Sequence, residues 1–271
     1  MDKSSINAVA RREQAKNIVN LLEKAADSLT AGAESAGIAF SGGIDSSILA
    51  FILKDKCRIA LYTVGVENAY DFTASERSAR FMNLATEKIT IGKNDIRAAI
   101  PDVSKLVKST NPVDVSIRIP LYFAARDCRE DILYSGQGAD ELFGGYKRYL
   151  GMDGASLESA LNEDLDELIA NGIAKDETVA SHFGRKLLSP YLDDEFVAFA
   201  RKIPAGLKVC GNERKIVLRD AATELGLPDF IAGARKKAAQ YSSGVMKAIQ
   251  RLAKDEGMGA RQYIEHCSQT V

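Results

Sequence analysis

The chain has 271 residues, 46% of them hydrophobic and 27% charged, which is enough apolar material for one large domain or two small ones and too much for a disordered chain. Thirty-six Lys and Arg against 37 Asp and Glu leave a formal charge of −1, so the overall balance favours neither nucleic acid nor an anionic membrane as partner, and an anionic ligand must be held by local groups. Cys57, Cys128, Cys210 and Cys267 stand far apart, and His182 and His266 are the only histidines, which argues against a zinc site or a disulfide framework.

The opening MDKSSINAVARREQ is charged throughout and lacks an apolar signal core, and no apolar run approaches the ~20 residues of a membrane span, so a soluble cytoplasmic protein is expected. From Ile6 to Leu29 apolar residues recur mostly every three or four positions, the pattern of one helix face, with Ser4 or Ser5 as a cap. Gly37 to Phe40 reads as a short buried strand and Asp45 to Leu53 as a helix. Strands are expected at Arg58–Val64, Glu87–Ile91 and Asp131–Tyr134, and helices at Asp71–Ala85, Asn94–Val107 and Leu121–Glu130. This alternation implies a parallel, doubly wound α/β sheet with its ligand at the carboxyl ends of the strands. Beyond Leu150 no strand is expected. Helical windows at Leu157–Ala170, Asp193–Lys202 and Lys215–Leu225 make the second half mainly helical, and the acidic run Asn162–Glu167 reads as a solvated helix face rather than a metal site.

Between the first strand and its helix lies Ser41-Gly42-Gly43-Ile44-Asp45-Ser46-Ser47. Two glycines leave successive backbone N–H groups unhindered around a concavity at a helix N-terminus, a place suited to phosphate. Ser41, Ser46 and Ser47 add hydroxyl donors, while Asp45 would repel phosphate unless a divalent cation lay between them, so it reads as a magnesium ligand. A Walker A loop needs a Gly-Lys-Ser/Thr that is absent, and the dinucleotide fingerprint does not fit. The alternative is a capped glycine turn, but five specified residues match by chance only about once in a million positions. The string resembles the SGGxDS loop of the PP-loop ATP pyrophosphatases, enzymes that cleave ATP between the α and β phosphates to adenylate a substrate.

A second segment, LYSGQGADELFGGYKRY from Leu133 to Tyr149, sits at the expected end of a later strand. Its glycines permit close backbone approach, and Asp140 and Glu141 offer carboxylates near the same metal; a helix start with acidic residues favoured by the dipole is the plainer reading. The segment is similar to the SGxGxDExFGGY pattern of the synthetase domain of asparagine synthetase and the related β-lactam synthetases. SPYLDDEFVAFARKIP from Ser189 resembles the family's PFLD helix, RKIVLRDA from Arg214 its lysine-bearing helix, and AQYSSGV from Ala239 its late loop.

The resemblance implies a PP-loop fold with a nucleotide-binding core over residues 1–150 and a helical portion over 151–271 packing on the same site. It implies ATP and Mg2+ as cofactors, with Asp45 and Asp140 on the metal. Ser41, Gly42, Gly43, Ser46, Ser47, Ser135 and Gly136 would surround the phosphates, Val64 and Gly65 would read adenine, and Lys215 would neutralise departing pyrophosphate. The expected reaction is adenylation of a small-molecule carboxylate followed by amidation with ammonia. A PP-loop tRNA-modifying adenylase and a nucleotide-binding partner subunit without amidation are the other readings.

Departures cluster on the substrate side. The chain starts Met1-Asp2 where the family has a glutaminase whose nucleophile is the first cysteine, so glutamine hydrolysis is not expected; a separate glutaminase subunit and a homodimer stay open. The family's motif glutamate is Gln137, an amide unable to take up a proton. Leu188 replaces an arginine, Ala238-Ala239 replace a Lys-Glu pair, and Arg118 falls near a substrate-side arginine. The expectation is a poor asparagine synthetase, or an enzyme whose substrate needs no base.

Overall fold

The structure, a computed structural model, describes residues 3–234 and 242–269. Its frame is a five-stranded sheet. Strand β1 (Ser35–Ala39) occupies the centre, paired with β2 (Arg58–Gly65) on one side and β4 (Ile132–Tyr134) on the other; β3 (Thr86–Thr90) and β5 (Lys186–Leu188) form the edges. The order is β3-β2-β1-β4-β5 and every pairing is parallel, with Ile38 beside both Leu61 and Tyr134. The chain winds outward from β1 through β2 to β3, then returns to β4 on the opposite flank. Such a reversal opens a crevice beyond the carboxyl ends of the two central strands.

Side chains alternate across the sheet and divide the core in two. Ile38, Leu61 and Tyr134 face one layer, where α1 (Lys3–Thr30) supplies Ile18 and Leu22, α2 (Ile44–Leu53) supplies Ile48 and Leu49, and α11 (Ile216–Glu224) supplies Val217 and Leu218. Tyr62, Val64 and Leu133 face the other, against α4 (Lys93–Val107), α5 (Pro112–Asp127), α13 (Val245–Asp255) and α14 (Ala260–Gln269). Helix α3 (Tyr70–Met82) covers the β2–β3 end with Ala79 and Met82. A smaller cluster of Tyr149, Leu157, Leu161, Ala205 and Val209 ties α7 (Gly154–Glu167) to the short α10 (Ala205–Lys208). No helix among the described residues is long and apolar enough to cross a membrane.

The sheet is the parallel, doubly wound one the alternation implies, and four details differ from expectation. Helix α5 begins at Pro112, nine residues before the expected start: the Asn111 side chain accepts from Val113 N at 2.9 Å, Pro112 occupies the first turn where no N–H is needed, and Pro120 is accommodated inside the helix. Residues beyond Leu150 do supply a strand, β5, whose three-residue Lys-Leu-Leu is too short to show a period. A two-stranded ribbon, β6 (Val209–Cys210) and β7 (Glu213–Arg214), is likewise below that limit. The acidic run on α7 is paired rather than merely solvated: Asp166 takes Arg201, and Asp164 takes Arg148 and the Tyr149 hydroxyl.

Candidate active site

A cleft of about 630 Å3 opens where the strand reversal predicts it. Strand β1 leads into it through Phe40 and Ser41, and α2 starts on its floor, so Asp45 and Ser46 lie in the first turn of that helix. Gly42 makes the corner possible. Its φ of +69° is a left-handed conformation, and a Cβ there would stand 2.4 Å from the Ala74 carbonyl carbon of α3. The Ser78 hydroxyl donates to Gly42 O at 3.1 Å and pins the turn. Within the corner the serines hold each other loosely: the Ser41 amide and hydroxyl each meet Ser46 Oγ at 3.4 Å, and Gly43 N meets Ser41 Oγ at 3.3 Å. Bonds of that length yield readily to a better acceptor.

The second motif arrives from β4. Gly136 passes so close to α2 that a Cβ would lie 3.1 Å from Asp45 Cβ, which brings Ser135, Gln137 and Asp140 to the same cleft. Asp140 lies in the first turn of α6 (Ala139–Phe143) and faces Asp45 across Lys215. That lysine is 1% exposed, and its Nζ bonds Asp45 Oδ1 and, at 2.6 Å, Asp140 Oδ1. Its own backbone is left-handed, φ 57°, immediately before α11. A non-glycine residue so placed costs about 1–2 kcal/mol, a strain that the surrounding contacts must hold. Arg214 helps by donating to Gly145 O, and the Tyr191 hydroxyl of the SPYLD segment donates to Asp45 O at 3.2 Å.

Further out, α5 and α8 (Ile173–Ser181) meet across the cleft. Arg118 is buried, with Nε 2.6 Å from Asp176 Oδ1, NH1 3.0 Å from Asp114 Oδ1 and NH2 3.2 Å from Gly172 O. The Gln137 amide nitrogen donates to Asp176 Oδ2. Burial pushes the Asp176 carboxyl above its ordinary value, and Arg118 and Gln137 offset only part of this. For Asp114 burial acts in the same sense, but the Ser109 hydroxyl, Lys175 and Arg118 outweigh it and hold the carboxyl low. Glu141 is raised by burial, with the Tyr146 hydroxyl donating to it and opposing the shift.

Ser41, Asp45, Ser46, Val64, Ser135, Gly136, Gln137 and Asp140 line this cleft. Gly42 and Gly43 face a second recess of about 230 Å3 behind the corner, which also touches Ser41. Gly65 stands just off the lining, its carbonyl accepting from Ile91 N at 3.0 Å. Ser47 points away: its amide donates to Gly43 O at 3.0 Å, and its hydroxyl is fully buried without a partner. Of this corner, Ser41 and Ser46 thus line the cleft, Gly42 and Gly43 line the recess behind it, and Ser47 belongs to the packing beneath, because one helical position separates a cleft-facing residue from a core-facing one. Ala238-Ala239 and the first part of the late loop lie outside the described residues. Sequence reasoning missed Asp176; Lys-Asp-Glu-Thr matches no motif, and only the helix register brings that side chain into the cleft.

The profile of the asparagine synthase family matches residues 17–161 and 151–266. A Methanocaldococcus jannaschii protein carrying the name of a glutamine-hydrolysing asparagine synthetase is 32% identical across 86% of this chain and 50% of its own length. The glutamine-hydrolysing asparagine synthetase B of Escherichia coli is 26% identical across 77% of this chain and 41% of its own. The chain thus spans about half the length of the curated relatives it matches. An NMN synthetase from Francisella tularensis overlays loosely, with TM-score 0.36 and 16% identity, over 75% of this chain and 99% of that one.

Proposed function

The chain belongs to the asparagine synthase family, and on that premise we propose that it is an ATP-dependent, AMP-forming amide synthetase that adenylates a small carboxylic acid and passes the acyl group to nitrogen. One observation carries the reading: two carboxylates, Asp45 and Asp140, converge on one buried ammonium beside a strand-to-helix corner whose amides are only loosely held.

The donor set fits magnesium. Among the described residues no group of three metal-ligating side chains exists, as a dedicated protein cage would require. Magnesium is ordinarily held by one or two carboxylates, with phosphates and water completing the shell. Asp45 and Asp140 would hold it, and it would supply charge neutralisation on phosphate oxygens. The amides and hydroxyls of Ser41, Gly42, Gly43 and Ser46 would receive the β and γ phosphates, with Val64 along the base. Lys215 is then freed to follow the charge onto pyrophosphate as the bond to the α phosphorus breaks. This is catalysis by positioning and preorganised charge, with no proton taken from the acid.

The test is ATP–pyrophosphate exchange with Mg2+ and a panel of carboxylic acids, followed by amide analysis after adding ammonium. At least one acid is expected to support exchange, with AMP as the nucleotide product. In calorimetry, Asp45→Ala should weaken Mg·ATP binding at least about tenfold, or about 1.4 kcal/mol. ADP as product, or no exchange with any acid, overturns the proposal; ATP binding without exchange identifies a nucleotide-binding subunit instead.

A further inference from the structure

An amine that attacks an activated acyl group must shed a proton, and the carboxylates of the cleft are not equally able to take it. Asp45 and Asp140 share Lys215. Asp114 is held ionised by Ser109, Lys175 and Arg118, which makes it a weak base, and Glu141 receives the Tyr146 hydroxyl. Asp176 differs. It lines the cleft from α8, is 5% exposed, and faces three groups: Arg118 and Asp114 from α5 and Gln137 from the loop after β4, while the neighbouring Lys175 pairs with Asp114.

The contact with Gln137 is informative because an ionised carboxylate only accepts. Gln137 presents its nitrogen to Asp176, and its carbonyl oxygen turns away with no partner among the described residues. The amide fixes the carboxylate in place and itself remains unable to take a proton. We propose that Asp176 is the proton acceptor for the nitrogen nucleophile, standing one hydrogen bond away from the motif position that Gln137 occupies. The inference rests on the amide synthetase reading. In the step, the nitrogen lone pair forms the C–N bond, the C–O bond to AMP breaks with its electron pair leaving on the phosphate oxygen, and the nitrogen's proton passes to an Asp176 carboxylate oxygen. Burial suits Asp176 to this role by raising its proton affinity above that of an exposed aspartate.

The experiment uses the full chain, an acid that supports exchange in the wild type, and ammonium as nitrogen source. Asp176→Asn is expected to keep ATP–pyrophosphate exchange and lose amide formation by about 100-fold or more. At a fixed concentration of free ammonia, wild-type amidation should fall on the acid side as Asp176 protonates, and the residual rate of the variant should lack that limb. The double variant D176N/Q137E returns a carboxylate to the other end of the same hydrogen bond and is expected to restore much of the amide rate. Unchanged amidation in D176N with normal exchange removes Asp176 and leaves the proposed function standing. If D176N loses exchange as well, the double variant decides: recovery of amide formation supports the proposal and its absence overturns it. Failure of every acid with the wild type sinks the parent reading and this inference with it.

Discussion

Lys215→Met is expected to lower stability by about 3–5 kcal/mol, since it leaves two largely buried carboxylates facing each other with their shared cation gone. The side chain is 1% exposed, so water cannot replace it, and the left-handed backbone at this position keeps its strain without the contact that justified it. Magnesium should recover part of the loss, because a divalent cation satisfies the same two oxygens. The measurement is the denaturant midpoint of variant and wild type with and without millimolar Mg2+, the variant gaining more. Pyrophosphate exchange should be abolished in both conditions. A variant as stable as wild type, or one insensitive to magnesium, means that Asp45 and Asp140 do not depend on this ammonium.

Gly42→Ala is expected to be nearly as damaging. The left-handed φ costs about 1–2 kcal/mol for a residue with a Cβ, and the new methyl would lie 2.4 Å from the Ala74 carbonyl carbon and the Ser75 amide nitrogen. Both are backbone atoms of a helix, so neither can swing aside, and relief of overpacking adds about 1–3 kcal/mol. ATP affinity should fall more than tenfold as the corner shifts. Gly43→Ala is the control: its φ is −76° and the nearest atom to an added Cβ is Ser41 Oγ at 3.3 Å, so its melting temperature should stay close to wild type. Equal melting temperatures for the two variants would show that the turn is soft.

How much of this was legible beforehand depended on sequence separation. The corner from Ser41 to Ser46 and the Gly136–Asp140 segment announce themselves because each packs its requirements into consecutive residues: a glycine for the turn, a hydroxyl or carboxylate for the ligand. Strands β1 to β4 were readable for the same local reason. Lys215 looked like any helical lysine, and only its likeness to a known motif singled it out; its burial between Asp45 and Asp140 depends on contacts 170 and 75 residues away. Asp176 carried no signal, since its partners Gln137 and Arg118 lie 39 and 58 positions back and meet it through tertiary packing. Ser47 shows the converse: it fits the motif's spelling while its hydroxyl is buried beneath the corner. The departure at Gln137 suggested a lost base, and the structure puts a carboxylate within one hydrogen bond of it.

Helices α7 and α8 are one continuous rod interrupted by a π-helical turn, Leu168–Gly172, whose last carbonyl receives Arg118. A π turn holds one residue more than the α-helical turn it replaces. Each residue after it therefore stands about where an uninterrupted α-helix would have put its predecessor, a phase difference of about 100°. Lys175 and Asp176 reach the cleft only in that phase. Deleting a single residue from the wide turn would close it to an ordinary α turn and leave α8 in place, whereas adding one elsewhere in the rod would rotate α8 like a dial, exchanging the side chains that meet Gln137 and Arg118 while β1, the glycine corner and Lys215 stay where they are. A one-codon change in length outside the wide turn can thus redraw the α8 wall of the cleft without touching the glycine corner, while the wide turn itself buffers the loss of a residue.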